Sequence, residues 1–139
     1  MSQSRRKKAV AVRVKKSASP AGPIEVFANQ HGKRAYQVRI VCPEFTAVCP
    51  RTAQPDFGTL TIHYAPDRWC LELKSLKLYL QQYRNRGIFY EDVVNVILDD
   101  LLASCAPRRM SVEGVFNARG GITTAVTGEY VKKTRARDR

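Results

Sequence analysis

Between Ile24 and Tyr130 the spacing of apolar residues changes from two to about 3.6 and back to two, a succession that leaves few folds open. Tyr36, Val38, Ile40 and Cys42 alternate with Gln37, Arg39 and Val41, the pattern of a half-buried strand that Pro43 is expected to end. Leu60, Ile62 and Tyr64 alternate with Thr61 and His63 in a second strand. From Lys74 to Tyr83 the residues Leu76, Leu80 and Tyr83 fall on one helical face, and from Glu91 onward Val94, Ile97, Leu98, Leu101 and Cys105 do the same. Asn85-Arg86-Gly87 separates these helices, with Gly87 suited to a left-handed helix end, and Pro107 stops the second. Arg109 to Asn117 and Ile122 to Tyr130 read as two further strands, joined through Ala118-Arg119-Gly120-Gly121, whose glycines suit a tight hairpin. The predicted order is β-β-α-α-β-β, an α+β unit of four antiparallel strands with both helices on one face. Nothing in the pattern covers the outer strands, and exposed edges favour oligomerisation.

The 139 residues suffice for one compact domain, and no apolar stretch approaches the roughly eighteen residues of a membrane helix. A formal net charge of +12 would by itself suggest nucleic acid as a partner, but the charge sits at the ends. Residues 1–16 carry Arg5, Arg6, Lys7, Lys8, Arg13, Lys15 and Lys16 with no acid, and residues 131–139 carry five cations against Asp138. The ends therefore hold +7 and +4, leaving +1 on residues 17–130. The organisation expected is a basic tail and linker over 1–23, one domain over 24–130 and a basic tail over 131–139. Such tails read as solubilising, disordered ends or as a weak attraction to phosphate backbones. An RNA-binding module working through its tails is thus an alternative from a different functional class. Arg13 interrupts Ala9 to Val14, so no secretory apolar region is expected, and a cytoplasmic protein with reduced thiols is the default. Cys42, Cys49, Cys70 and Cys105 form no CxxC pair and have only His31 and His63 as companions, so no metal is expected.

The run from Pro43 to Gly58 reads as a long, proline-punctuated loop containing Cys49 and Asp56. A cysteine and a carboxylate on one stiff segment can pair a nucleophile with a general acid. Cys42, Cys70 and Cys105 keep the ordinary reading of a small buried hydrophobe. Lys74 and Lys77, three residues apart, project from one helical face, which is either a solvated surface or a place for an anionic phosphate.

Glu72-Leu73-Lys74-Ser75-Leu76-Lys77-Leu78-Tyr79 resembles the signature octapeptide of the QueF family, the single-module 7-cyano-7-deazaguanine reductases. Cys42-Pro43-Glu44-Phe45-Thr46, continuing through Cys49-Pro50 to Gln54-Pro55-Asp56-Phe57-Gly58, is similar to that family's catalytic loop. Phe89-Tyr90-Glu91-Asp92-Val93-Val94-Asn95 and Arg119-Gly120-Gly121-Ile122 complete the likeness in the family's order.

The resemblance implies the tunnelling fold, in which β-β-α-α-β-β subunits join their sheets into pentameric rings that stack into a decamer, with the active site at a subunit interface. It implies an NADPH-dependent reduction of a nitrile to a primary amine in queuosine biosynthesis, a tRNA modification, with Cys49 as nucleophile through a covalent thioimide and Asp56 as proton donor. By family position, Leu71, Glu72, Leu73, Tyr90 and Glu91 would line the deazaguanine pocket, and Lys74, Lys77 and Arg119 would meet the NADPH phosphates. No Gly-x-Gly-x-x-Gly loop is present, so the cofactor site would not be a Rossmann one. Family members often carry His where Tyr90 stands and Cys where Val93 stands. Tyr90 implies altered substrate contacts, and Val93 removes a possible disulfide partner for Cys49. An amidine-forming relative that keeps the thioimide but uses an amine is the rival within the fold, and the presence of Lys74 and Lys77 argues against it.

Overall fold

A computed structural model describes residues 22–133. The tail over 1–16, most of the expected linker and residues 134–139 lie outside the described residues. The elements run β1 (Val26–Ala28), β2 (Val38–Val48), β3 (Pro55–Ala65), β4 (Trp69–Leu71), α1 (Leu73–Gln81), a 3-10 turn (Gln82–Asn85), α2 (Tyr90–Cys105), β5 (Arg109–Arg119) and β6 (Ile122–Val131). The main sheet is antiparallel throughout in the order β2-β3-β5-β6, so β2 and β6 are its edges. Residues of period two on β3 and β5, such as Leu60, Ile62 and Val112, point inward against Val94, Ile97 and Leu101 of α2. Each such fully buried aliphatic side chain contributes about 1.5–3 kcal/mol. Helix α2 crosses β5 and β6, while α1 and the 3-10 turn lie against β2.

The strand expected to end at Pro43 continues to Val48. Its register with β3 jumps from Cys42↔Leu60 to Phe45↔Gly58, a bulge that takes Pro43 and Glu44 out of the pairing. An edge strand tolerates the missing N–H of proline, and the bulge restores inward positions for Phe45 and Ala47. The predicted loop from Pro43 to Gly58 is therefore two strand ends joined by a turn over 49–54. Two three-residue strands escaped the periodicity: β1 and β4 pair as Val26↔Leu71, Phe27↔Cys70 and Ala28↔Trp69.

Gly87 is not left-handed. Among the described residues the positive-φ glycines are Gly120 and Gly121, which form the β5–β6 hairpin as expected. Gly87 instead forms a parallel bridge with Val48: Val48 N donates to Arg86 O at 3.1 Å and Ile88 N donates to Val48 O at 3.0 Å. The segment between the helices thereby clamps the end of β2. The helices are also tied to each other, because Tyr79 Oη donates to the Asp100 carboxylate and shares a 2.8 Å hydrogen bond with the Tyr83 hydroxyl. Val131 belongs to β6, and Lys132 Nζ lies 2.9 Å from Asp67 Oδ2.

Candidate active site

The clamp on Val48 fixes where the next residue, Cys49, must stand. Cys49 N donates to Gln54 O at 2.8 Å and Ala53 N donates to Cys49 O at 2.9 Å, closing a tight turn in which Ala53 takes φ 60°. The turn folds its own donors over the sulfur. The Thr52 hydroxyl, followed by the amides of Thr52 and Arg51, hydrogen-bonds the thiolate and lowers the Cys49 pKa, against smaller opposing effects of burial and of the Asp56 charge. A lowered thiol pKa raises the share of the nucleophilic form.

Asp56 occupies an inward position of β3, in the same row as Gly58, Leu60 and Ile62, and is only 4% exposed. A carboxylate so placed needs fixed partners. Tyr90 Oη, at the start of α2, donates to Asp56 Oδ1 at 2.9 Å, and Arg119 Nη1, at the end of β5, pairs with the same oxygen. The second Arg119 nitrogen donates to Gln54 Oε1. Burial, then the hydrogen bond to Asp56, raises the Tyr90 pKa, and the bond to Asp56 raises that of Arg119. The Tyr90 ring stacks on Phe116 with centroids 3.9 Å apart and planes 12° from parallel.

A cavity of about 300 Å³ opens between these groups, lined by Cys49, Pro50, Thr52, Asp56, Phe89, Tyr90, Glu91 and Arg119. The structure thus brings together Cys49, Asp56, Tyr90, Glu91 and Arg119. Glu91 lies exposed in the first turn of α2, where its charge also suits the helix dipole.

Leu71, Glu72, Leu73, Lys74 and Lys77 do not line this cavity within the same chain. Leu71 is buried in β4, and its amide donates to Tyr64 Oη at 3.0 Å. Glu72 caps α1, its carboxylate accepting from Lys74 N at 2.7 Å and Ser75 N at 2.9 Å. Burial pushes the Glu72 pKa up, but these amides and the Lys74 charge outweigh it and leave it lowered. Leu73 is 59% exposed, and Lys74 and Lys77 project from α1 into solvent. Leu73 and Lys77 border a different groove of about 340 Å³ between β2 and α1. Each chain therefore presents two separate surfaces, one around Cys49 and one at the start of α1.

Sequence reasoning passed over Thr52, Gln54, Phe89 and Phe116. Thr52 and Gln54 lie inside the quoted motif, and their closeness to Cys49 was the available signal; Phe116 had none, since only the folded sheet brings it to Tyr90.

Chemically, the cavity offers a thiolate favoured by its turn, a buried carboxylate held by two donors, and an exposed carboxylate at its rim, a set suited to covalent addition at an electrophilic carbon with proton delivery nearby.

The family profile described as QueF-like protein matches residues 55–135. An NADPH-dependent 7-cyano-7-deazaguanine reductase from Chlorobaculum tepidum is 58% identical over 109 residues, covering 78% of this chain and 93% of the relative. One of the same description from Thermomicrobium roseum is 54% identical over 111 residues, covering 80% of this chain and 87% of the relative. The crystal structure of the archaeosine synthase QueF-Like in the apo form superposes with a TM-score of 0.65 at 22% identity, covering 70% of this chain and 96% of that one. That likeness concerns the fold, and it agrees with the tunnelling-fold subunit that the family resemblance implies.

Proposed function

Because the chain belongs to the QueF-like protein family, we propose that it is an NADPH-dependent oxidoreductase reducing the nitrile of 7-cyano-7-deazaguanine to the primary amine, 7-aminomethyl-7-deazaguanine, for queuosine biosynthesis. The observation that carries the chemistry is the convergence of Cys49 and Asp56 on one cavity whose turn lowers the thiol pKa. The Cys49 thiolate adds to the nitrile carbon, and the nitrogen takes a proton, giving a thioimide. Asp56, beside the same cavity, takes up the Cys49 thiol proton and passes it to that nitrogen, and is reprotonated from solvent to supply those required as the carbon is reduced. Held at Lys74 and Lys77, NADPH would supply one hydride per molecule, a second molecule replacing the oxidised first, and Cys49 would leave as thiolate between the two reductions. Glu91, at the rim, accepts hydrogen bonds from the guanine-like edge, since donors of a buried heterocycle need partners.

NADPH phosphates fit Lys74 and Lys77. Both stand exposed on α1, and among the described residues neither enters a salt bridge. Arg119 fits less directly, because its guanidinium is already engaged by Asp56 and Gln54 and an arriving phosphate has to compete for it.

Since the Lys74–Lys77 surface and the Cys49 cavity are separate on one chain, we infer that a working site joins the two from neighbouring copies. The unpaired edges β2 and β6 support a homo-oligomer built by joining sheets, in pentameric rings that pair into a decamer. No described helix is long and apolar enough to cross a membrane, and a working thiolate suits the reducing cytoplasm.

The test is turnover. Purified protein with 7-cyano-7-deazaguanine should oxidise two NADPH per amine formed, followed by cofactor absorbance and product mass, and Cys49→Ala should abolish both. An adduct on Cys49 without cofactor oxidation would reject the reductase while keeping the nucleophile; neither adduct nor turnover would reject the enzyme.

A further inference from the structure

Both donors that hold Asp56 fall on one oxygen. Tyr90 Oη reaches Oδ1 at 2.9 Å, and Arg119 Nη1 pairs with that same Oδ1. The donors arrive from two different elements, α2 and β5, so the orientation of the carboxylate depends on how each element places its side chain. Arg119 has a long, flexible stem, but Tyr90 does not swing freely. Its ring lies flat on Phe116, 3.9 Å between centroids, and Phe116 is only 2% exposed.

Phe116 is fixed in turn by missing side chains on the inner face of the sheet. A Cβ on Gly58 would lie 2.9 Å from Phe116 Cδ1, and a Cβ on Gly114 would lie 2.8 Å from Phe116 Cε2. Those separations are closer than carbon atoms pack, so the two glycines form a slot that any side chain would fill. The order of support is Gly58 and Gly114, then Phe116, then Tyr90, then Asp56. By family position Tyr90 would be a contact for the substrate base, yet one face of its ring and its hydroxyl are already used inside the protein.

We infer that Tyr90, stacked on Phe116 in the Gly58–Gly114 slot, is a positioning residue that holds Asp56 by Oδ1 and leaves Oδ2 to deliver the proton to the substrate nitrogen. This rests on the reductase reading above and adds to it three residues, Gly58, Gly114 and Phe116, that act without touching substrate. Phe116 acts only through Tyr90, so its kinetic effect and that of the Tyr90 hydroxyl are one effect counted once.

A double-mutant cycle in steady-state kinetics tests this, using 7-cyano-7-deazaguanine and NADPH with Tyr90→Phe, Phe116→Leu and the double variant. Each single substitution should lower kcat about tenfold with KM for the nitrile within about twofold, and the double variant should be no slower than the slower single. If KM rises while kcat holds, Tyr90 binds substrate and the proposal is wrong. If the double variant loses the product of the two single effects, Phe116 acts independently of Tyr90 and the proposal is equally wrong. Should Phe116→Leu fail to fold by urea titration, Gly114→Ala, whose methyl displaces the Phe116 ring edge, takes its place in the cycle with the same expected result. Absence of turnover in the unaltered protein would fail the reductase reading and this proposal with it, whereas turnover with an additive cycle fails this proposal alone.

Discussion

At the scale of single residues, the proposed nucleophile Cys49 is tuned by its own turn rather than by a distant base. Thr52 is the largest contributor to the lowered Cys49 pKa, and its hydroxyl stabilises the thiolate but not the thiol. Thr52→Val should therefore move the pH profile of Cys49 alkylation by iodoacetamide toward higher pH, slowing the reaction at neutral pH; an unmoved profile would show that the turn amides suffice. Cys49, Asp56, Tyr90, Glu91 and Arg119 were legible in the sequence because they sit in recognisable motifs, and the fold brings them to one cavity. The partners that set their behaviour were not. Phe116 looks like any inward residue of a strand, and that Arg119 would turn to Asp56 depends on a hairpin approaching β3 from far along the chain.

At the scale of elements, the hydrophobic period located every long strand and both helices, because each buries one face over several turns or pleats. It failed where an element is too short to show a period, as in β1 and β4, or where pairing overrides a local rule, as where a bulge carries β2 past Pro43. The start of α1 was expected at Lys74 and falls at Leu73, but its cap was hidden, since glutamate is not a usual cap, yet the Glu72 carboxylate accepts from two amides of the first turn. Glu72→Ala should cost about 0.5–2 kcal/mol in urea unfolding, and Glu72→Gln should recover part of it. The lowered Glu72 pKa fixes the sign of the pH effect. A carboxylate depressed in the folded state stabilises above its unfolded pKa, and that stabilisation is lost as acidification protonates it. The difference between wild type and Glu72→Ala should thus be full at neutral pH and shrink in acid; a difference independent of pH would mean that the cap acts by packing.

At the scale of the whole molecule, the Cys49 cavity and the Lys74–Lys77 face lie apart on one chain, and the exposed edges β2 and β6 offer a route to bring them together between chains. Complementation measures this. Cys49→Ala and Lys74→Ala/Lys77→Ala proteins, each inactive alone, should regain about a quarter of wild-type turnover when unfolded and reassembled together in equal amounts, because random neighbours make one intact site in four. No recovery would place the whole site within a single chain. Exposed edges were foreseen from the strand pattern, but the separation of the two surfaces was not, since a linear motif gives no direction in space. With a site shared between chains as proposed, the same separation makes activity a matter of gene dosage. A lone chain would then lack a complete site, so specific activity should fall on dilution, and a cell that makes half as much of the chain should retain less than half of the flux.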